Sequence, residues 1–447
     1  MQHLRTLSIV LPIFASLLPS GLRAERVYID ISGATFRPYP MAIPRVRSEA
    51  GVPGGERMAG QLTERIRYDL EVTGLFQVLD PRSFLASPKE GITASTIRFS
   101  DWANVGAEGL LKGRLVLDET GGIRFEARLF NVTTESESAR FTYPVDPEKA
   151  RYAAHALAND LVRHFTRERG IFDTKIAFIR KIRGRKELWI SDWDGFAPRR
   201  IVGGELNLLP AWHPKGDRLL FTSYRDGDPD LYETTLDGVV RTVVGGDAMY
   251  TGGAYSPDGS KIAFTRTVDG NAEIYVVHAD GTGLKRLTNA YGVDTSPTWS
   301  PDGRRIAFVS SRHGNPHIFV MNADGSDQRR LTFQGNYNQT PDWSPRGDVI
   351  AFTARDERNV FDLFTVNVET GEIHRLTQDT GNNEEPSFSP NGRHIVFTST
   401  RTGRSEIWIM NADGTNQRKL KLPPGAYFTP AWGPWPSKSS ESASAEP

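Results

Sequence analysis

A short motif returns every 43 to 45 residues through the second half of this 447-residue chain, and it limits the fold more than any other feature. It reads Pro210-Ala211-Trp212-His213-Pro214-Lys215-Gly216, then Gly253-Ala254-Tyr255-Ser256-Pro257-Asp258-Gly259, and it recurs around Trp299, Trp343 and Phe388. A sixth copy, Pro430-Ala431-Trp432-Gly433-Pro434, is cut short. A period of about 40–45 residues, built from short strands and Gly/Pro turns, marks a β-propeller with one four-stranded blade per repeat. Function in such a ring is sought on a face and in a channel, not in a catalytic cleft.

One repeat serves as the template. Thr298-Trp299-Ser300 is a short strand, and Pro301-Asp302-Gly303 turns the chain, with proline presetting φ and glycine accepting a positive φ. Arg305-Ile306-Ala307-Phe308-Val309 and His317-Ile318-Phe319-Val320-Met321 are apolar strands, and Gln328-Arg329-Arg330-Leu331-Thr332 is the polar outer strand. The ends of the array are complementary. The stretch from Lys175 to Val202 has no Pro-x-Trp strand in front of it, and the chain ends with Pro430-Ala431-Trp432 and nothing after it. Letting the last strand complete the first blade gives six blades and leaves no free edge.

The expected organisation is two-domain, an N-terminal α/β domain followed by an all-β six-bladed β-propeller. A secretory signal occupies residues 1–24: a short basic start, an apolar run from Leu7 to Leu18, and cleavage after Ala24. The α/β domain is placed at 25–170, the propeller at 171–435 and a Ser/Ala/Glu-rich disordered tail at 436–447. Cysteine is absent, and a chain this large can bury its core without disulfides. Without the leader there are 52 basic and 54 acidic residues, so no global field attracts nucleic acid or acidic lipid. No later stretch is apolar enough for direct membrane insertion.

In the first domain, Met58, Leu62, Ile66 and Leu70 form one helical face, and Ala153, Ala154, Leu157, Leu161 and Phe165 form another. Leu110 to Leu117 and Ile123 to Phe130 read as a hairpin turning at Gly121-Gly122. Catalytic motifs are missing: there is no Gly-x-Ser-x-Gly elbow and no phosphate-cradling loop. His313 and His317 are separated by a turn, and the Asp226/Asp228/Asp230 run has Leu231 where a calcium loop needs glycine, so neither is read as a metal site. No cofactor is expected. Glu384 and Glu385 are adjacent, which suits a charged rim better than an acid–base pair. Arg180, Arg225, Arg266, Arg312, Arg355 and Arg401 each follow the second strand of a blade. They are read as a crown around one mouth, either solvated or facing an acidic or carbonyl-rich partner.

The Ser-Pro-Asp-Gly repeats resemble those of the TolB family. Leu70-Glu71-Val72-Thr73-Gly74-Leu75-Phe76-Gln77-Val78-Leu79-Asp80, Asp101-Trp102-Ala103-Asn104-Val105-Gly106-Ala107-Glu108 and Gly170-Ile171-Phe172-Asp173-Thr174-Lys175-Ile176-Ala177-Phe178 are similar to further family segments. The resemblance implies a non-enzymatic periplasmic adaptor of the Tol-Pal system, monomeric alone, that supports outer-membrane integrity and cell division. It implies binding of the lipoprotein Pal at the propeller mouth and of the TolA C-terminal domain through the N-terminal segment. The Pal site falls on Met249, Tyr250, Thr251, Asp294, Thr295, Asn338, Gln339, Glu384, Tyr427 and Phe428, and the TolA segment on Val27, Tyr28, Ile29, Asp30 and Ile31. Met249 stands where the family has a histidine, and Gly253 where it has a proline. Charged residues at Tyr250 and Thr295 are the expected test of the mouth. The competing reading is a secreted propeller hydrolase, a peptidase or polysaccharide-acting enzyme.

Overall fold

A computed structural model describes residues 37–437, apart from Pro88 and Asp356. The leader with its cleavage after Ala24, the Val27–Ile31 strand and the tail beyond Ser437 lie outside the described residues.

The first domain is a mixed sheet carrying two long helices. Its elements are β1 (Tyr39–Ala42), β2 (Arg47–Ser48), α1 (Gly55–Val72), β3 (Phe76–Val78), α2 (Phe99–Ala103), β4 (Gly109–Leu117), β5 (Ile123–Asn131), β6 (Ser136–Pro144) and α3 (Ala150–Thr166). The sheet order is β3-β1-β4-β5-β6, with β2 paired to β4. Strand alternation sends Met41, Leu111 and Leu129 into the core beneath α1 and α3, and Ala42, Leu110 and Phe130 into a second cluster with Trp102 of α2. The two helical stripes read from the sequence are buried as expected. At the end of α1, the Thr73 hydroxyl donates to the Leu70 carbonyl at 2.6 Å and accepts from the Leu75 N–H at 3.0 Å, and Gly74 at φ 68° turns the chain into β3. Sequence periodicity misses β6. Its alternating polar residues cover an edge of the sheet, so it carries little apolar signal.

The second half forms six four-stranded antiparallel sheets, and the final strand Ala426–Trp432 pairs with Lys175–Ile182 to complete the first. The outer strand of the template blade is shorter than its sequence suggests: Arg329–Arg330 is paired where five residues were expected. Leu331 and Thr332 leave the ladder because they serve the neighbouring strand. The Leu331 N–H donates to the Ile318 carbonyl, and the Thr332 hydroxyl accepts the Ile318 N–H at 3.0 Å.

Each innermost strand carries a β-bulge after its second or third residue. The bulge residues Leu209, Gly252, Ser296, Thr340, Glu385 and Thr429 all have φ between 44° and 61°. Four of these backbone N–H groups are taken up by the preceding blade: Gly252 donates to Thr222 Oγ1, Ser296 to Thr265 Oγ1, Glu385 to Thr353 Oγ1 and Thr429 to Glu385 Oε2. The bulge therefore joins neighbouring blades while re-aiming the residues beyond it.

One break in the repeat has a local cause. Five blades have proline after the bulge residue, and the third has Gly253. A Cβ on Gly253 would collide with Leu220 of the second blade. At the position of Leu220 the other blades have Ala177, Ala263, Ala307, Ala351 and Val396. The larger leucine and the missing side chain compensate each other. Gly253→Pro is expected to destabilise the protein by about 1–3 kcal/mol through overpacking. Leu220→Ala in the same chain should recover most of the loss in denaturant melts, and independent, additive losses would reject the pairing.

Candidate functional site

Antiparallel blades sort their turns onto two faces of the ring. The Pro-Asp-Gly and Asp-Gly turns lie on one, and the entries to the innermost strands, with the turns between second and third strands, lie on the other. The first domain covers the turn face. Glu168 bridges Arg346 at 3.1 Å and Arg393 at 2.6 Å. Arg151 on α3 binds Asp192 at 2.8 Å and Asp194 at 2.6 Å, and Arg65 on α1 binds Asp194 at 2.5 Å. Asn416 donates to the carbonyls of Glu71 and Val72, which closes the C-terminal end of α1 against the sixth blade. Buried His394 donates from Nε2 to the Val72 carbonyl at 3.1 Å, and burial pushes its pKa down to about 4, so it is neutral there. A single apolar cluster runs from α1 and α3 through Trp193 to Ile407 and Trp432. Among the described residues, these interdomain contacts leave the strand-entry face open.

On that face, alternation divides the first residues of the innermost strands, most of the expected site residues among them, into two rings. The first ring, Asn207, Tyr250, Asp294, Asn338, Asn383 and Tyr427, is buried throughout. The second, Leu208, Thr251, Thr295, Gln339, Glu384 and Phe428, is half-buried on the channel wall. Met249 precedes the first ring and is exposed. The residues expected at the mouth are therefore not equally accessible: Tyr250, Asp294, Asn338 and Tyr427 are buried. Asp294 is sealed against Arg312 at 2.7 Å, and Asn338 donates to Thr332 Oγ1 at 2.9 Å and to the Gln334 carbonyl. Asp294 is thus tied within its own blade, and Asn338 ties its blade to the one before it. Tyr250 is only 3% exposed, with its ring 6.0 Å from Phe264, so a charge placed there would break the blade instead of testing a surface. Tyr427 likewise spends its hydroxyl on the Pro423 carbonyl.

The channel below this ring holds a cavity of 430 Å³ lined by the bulge residues and the turn prolines. Two carboxylates border it. Asp342 accepts the Phe388 N–H at 2.6 Å, and burial raises its pKa to about 7. Glu385 accepts from the Thr398 hydroxyl at 2.8 Å and the Thr429 N–H at 2.6 Å, and burial raises its pKa too. Glu384 at the rim is pushed up to about 7, first by burial and then by Glu385. Asp342 and Glu385 are each held by hydrogen bonds of their own, which suits fixed structural groups better than an acid–base pair. Among the described residues, no group of three His, Asp or Glu is placed to hold a metal ion.

The arginine crown is a set of clamps within blades. Arg180 lies over Trp189 at 4.9 Å, Arg225 over Tyr232 at 4.6 Å, Arg266 over Tyr275 at 5.4 Å, Arg312 over Phe319 at 5.0 Å, Arg355 over Tyr337 at 5.2 Å and Arg401 over Trp408 at 4.2 Å. Arg312 and Arg401 also spend their donors on matching serine, glutamine and Asp/Asn partners. Of the six, Arg225 alone is exposed. Sequence reasoning missed a different feature of this face. Tyr291, Val293 and Phe333, in the loops entering the fourth and fifth blades, are exposed on the same face, as Met249 is in the third. Large apolar residues in polar-looking loops were the available signal.

Comparison with known proteins agrees with this architecture. Residues 162–436 match the TolB beta propeller domain family, and residues 27–138 match the TolB amino-terminal domain family. The chain is 50% identical to a Tol-Pal system protein TolB of Myxococcus xanthus (strain DK1622), covering 94% of this chain and 97% of that one. It is 47% identical to the protein of the same description from Anaeromyxobacter dehalogenans (strain 2CP-C), over 93% and 95% of the two chains. A crystal structure of TolB from Acinetobacter baumannii superimposes with a TM-score of 0.77 at 26% identity, covering 91% of this chain and all of that one.

Proposed function

The chain belongs to the TolB family, and from that premise we propose that it is a non-enzymatic periplasmic adaptor of the Tol-Pal cell-envelope system. In this reading it binds Pal at the open propeller mouth and TolA through residues 25–33, and it supports outer-membrane integrity and cell division. The observation that carries the mouth assignment is the strand-entry face, which the described residues of the first domain leave open. It combines a ring of half-buried side chains with exposed Met249, Tyr291, Val293 and Phe333, while the opposite face is occupied by the chain's own first domain. Exposed apolar residues on the face around a partly polar channel wall suit a protein partner. The channel carboxylates are anchored to backbone and hydroxyl groups, which favours an adaptor over the hydrolase reading.

The test uses the channel wall in place of buried Tyr250. Thr251→Arg with Thr295→Glu should weaken binding of Pal from the same genome by about 100-fold, as expected for central interface positions, with an unchanged unfolding curve. Deleting residues 25–33 should remove TolA binding and leave Pal binding intact. Undiminished Pal binding by the channel-wall variant moves the site elsewhere, and retained TolA binding by the deletion rejects the N-terminal segment.

A further inference from the structure

The first and second blades differ from the other four at the mouth. In the second ring, Phe428 and Leu208 are the two apolar positions, whereas the other blades present Thr251, Thr295, Gln339 and Glu384. Above this apolar wall stand two rim turns of opposite charge. The first blade's hairpin, Arg180-Lys181-Ile182-Arg183-Gly184-Arg185-Lys186, has five basic residues and no acidic one. The neighbouring turn of the second blade, Arg225-Asp226-Gly227-Asp228-Pro229-Asp230, carries three aspartates.

The basic hairpin is long, and its own charges disfavour it. Its strands, Lys175–Ile182 and Arg185–Asp192, are eight residues each where the corresponding strands of the second, fourth and sixth blades have six. They are joined by a two-residue turn with Arg183 at φ 49° and Gly184 at φ 86°, the combination that tight hairpins favour. Lys181 stands directly opposite Lys186, a like-charge pairing that disfavours the sheet. Lys181, Arg183 and Arg185 are exposed and have no ion pair among the described residues. The hairpin is also rooted in the mouth, since Lys186 lies 4.9 Å over the ring of Phe428. On the other side, Asp226 accepts from the Tyr232 hydroxyl, while Asp228 is exposed.

We propose that this two-blade sector is a polarity key. It takes one folded protein surface that is acidic where it meets the first blade, basic where it meets the second and apolar between, and so fixes the rotational register of whatever docks at the mouth. A near-sixfold ring offers similar seats at every blade, and a single asymmetric sector removes the ambiguity. Opposite charges side by side also argue against a uniformly anionic surface such as a lipid bilayer, which the aspartate turn would repel. The proposal rests on the mouth being the Pal-binding face.

The experiment measures association and dissociation rates of the chain with Pal from the same genome at low and high salt. Arg183→Glu with Arg185→Glu should slow association about tenfold at low salt, flatten its salt dependence and leave dissociation within about twofold, because rim charges act mainly on the encounter. Asp228→Lys should slow association about threefold. An unchanged association rate and salt slope in the double variant, while the Thr251/Thr295 variant loses binding, overturns the key and leaves the mouth assignment standing. If the wild type does not bind Pal, the functional reading has failed, and the key is judged on a deca-glutamate peptide and on phosphatidylglycerol vesicles. Peptide capture without vesicle capture, lost in the Arg183/Arg185 variant, supports the key. Vesicle capture that depends on the hairpin, or capture of neither probe, overturns it.

Discussion

A chain ending at Leu422 is expected to lose cooperative folding and to aggregate. It lacks the strand Ala426–Trp432, which pairs with Lys175–Ile182 and packs against the sixth blade. That strand and its flank are held by specific tertiary hydrogen bonds. Trp432 Nε1 donates to Thr174 Oγ1 at 2.9 Å, Trp212 Nε1 donates to the Ala431 carbonyl at 3.0 Å, and Trp435 Nε1 donates to the Gly170 carbonyl at 2.7 Å. Tyr427 and Trp432 are buried in the cluster that also joins the two domains. Emptying the space of a buried aromatic costs about 3–5 kcal/mol, and a domain's whole stability is about 5–15 kcal/mol. The truncation removes two such side chains and opens a hydrogen-bonding edge at Ile176–Ile179. A chain ending at Ser437 keeps the strand, its hydrogen bonds and both aromatic side chains, and is the control. Calorimetry and light scattering should separate the two, and an unchanged melting temperature and solubility in the shorter chain would refute closure by this strand.

Arg151→Met is expected to cost about 3 kcal/mol, because removing the shared cation of a buried ion-pair group leaves each carboxylate one positive partner short. The Arg151 guanidinium binds both Asp192 and Asp194 and lies 3.7 Å over the Phe196 ring. Lys175 still reaches Asp192, and Arg65 still reaches Asp194, so the loss stays below that of an unpaired charge. Adding Asp192→Asn and Asp194→Asn to the same chain should restore part of the stability in denaturant titrations. A pH dependence accompanies it. Burial pushes Asp192 up, but the Lys175 and Arg151 charges outweigh it and hold its pKa below the usual value. Glu168 behaves alike, with burial outweighed by Arg393 and then Arg346. A depressed folded-state pKa adds stability above the ordinary carboxylate range, and that stability is lost as pH falls through the folded value. Domain docking in the wild type should therefore weaken below about pH 4, and Arg151→Met should reduce that acid sensitivity. An acid limb identical in both proteins would show that these carboxylates do not govern docking.

The repeat made six blades and their closure legible before any coordinates, because turn chemistry and strand alternation act over a few residues. The same holds for the faces of α1 and α3, whose spacing alone marks what is buried. The mouth was legible only as a region. Asp294 and Thr295 are neighbours in sequence, yet one is sealed beneath Arg312 and the other lies on the channel wall. The phase of alternation decides this, together with a bulge satisfied by hydroxyls from the preceding blade, such as Thr265 for Ser296. The arginines show the same limit. Their regular spacing is visible in the sequence, but the aromatic rings that hold them come from other strands of the sheet. Likewise, Leu220 explains Gly253 only once the second blade is packed against the third. The sequence by itself determined the blades, the ring and the apolar faces, since local periodicity encodes them. Tertiary structure decided which face stays open, which polar residues reach it and where opposite charges meet at the rim, because each depends on groups brought together from distant repeats.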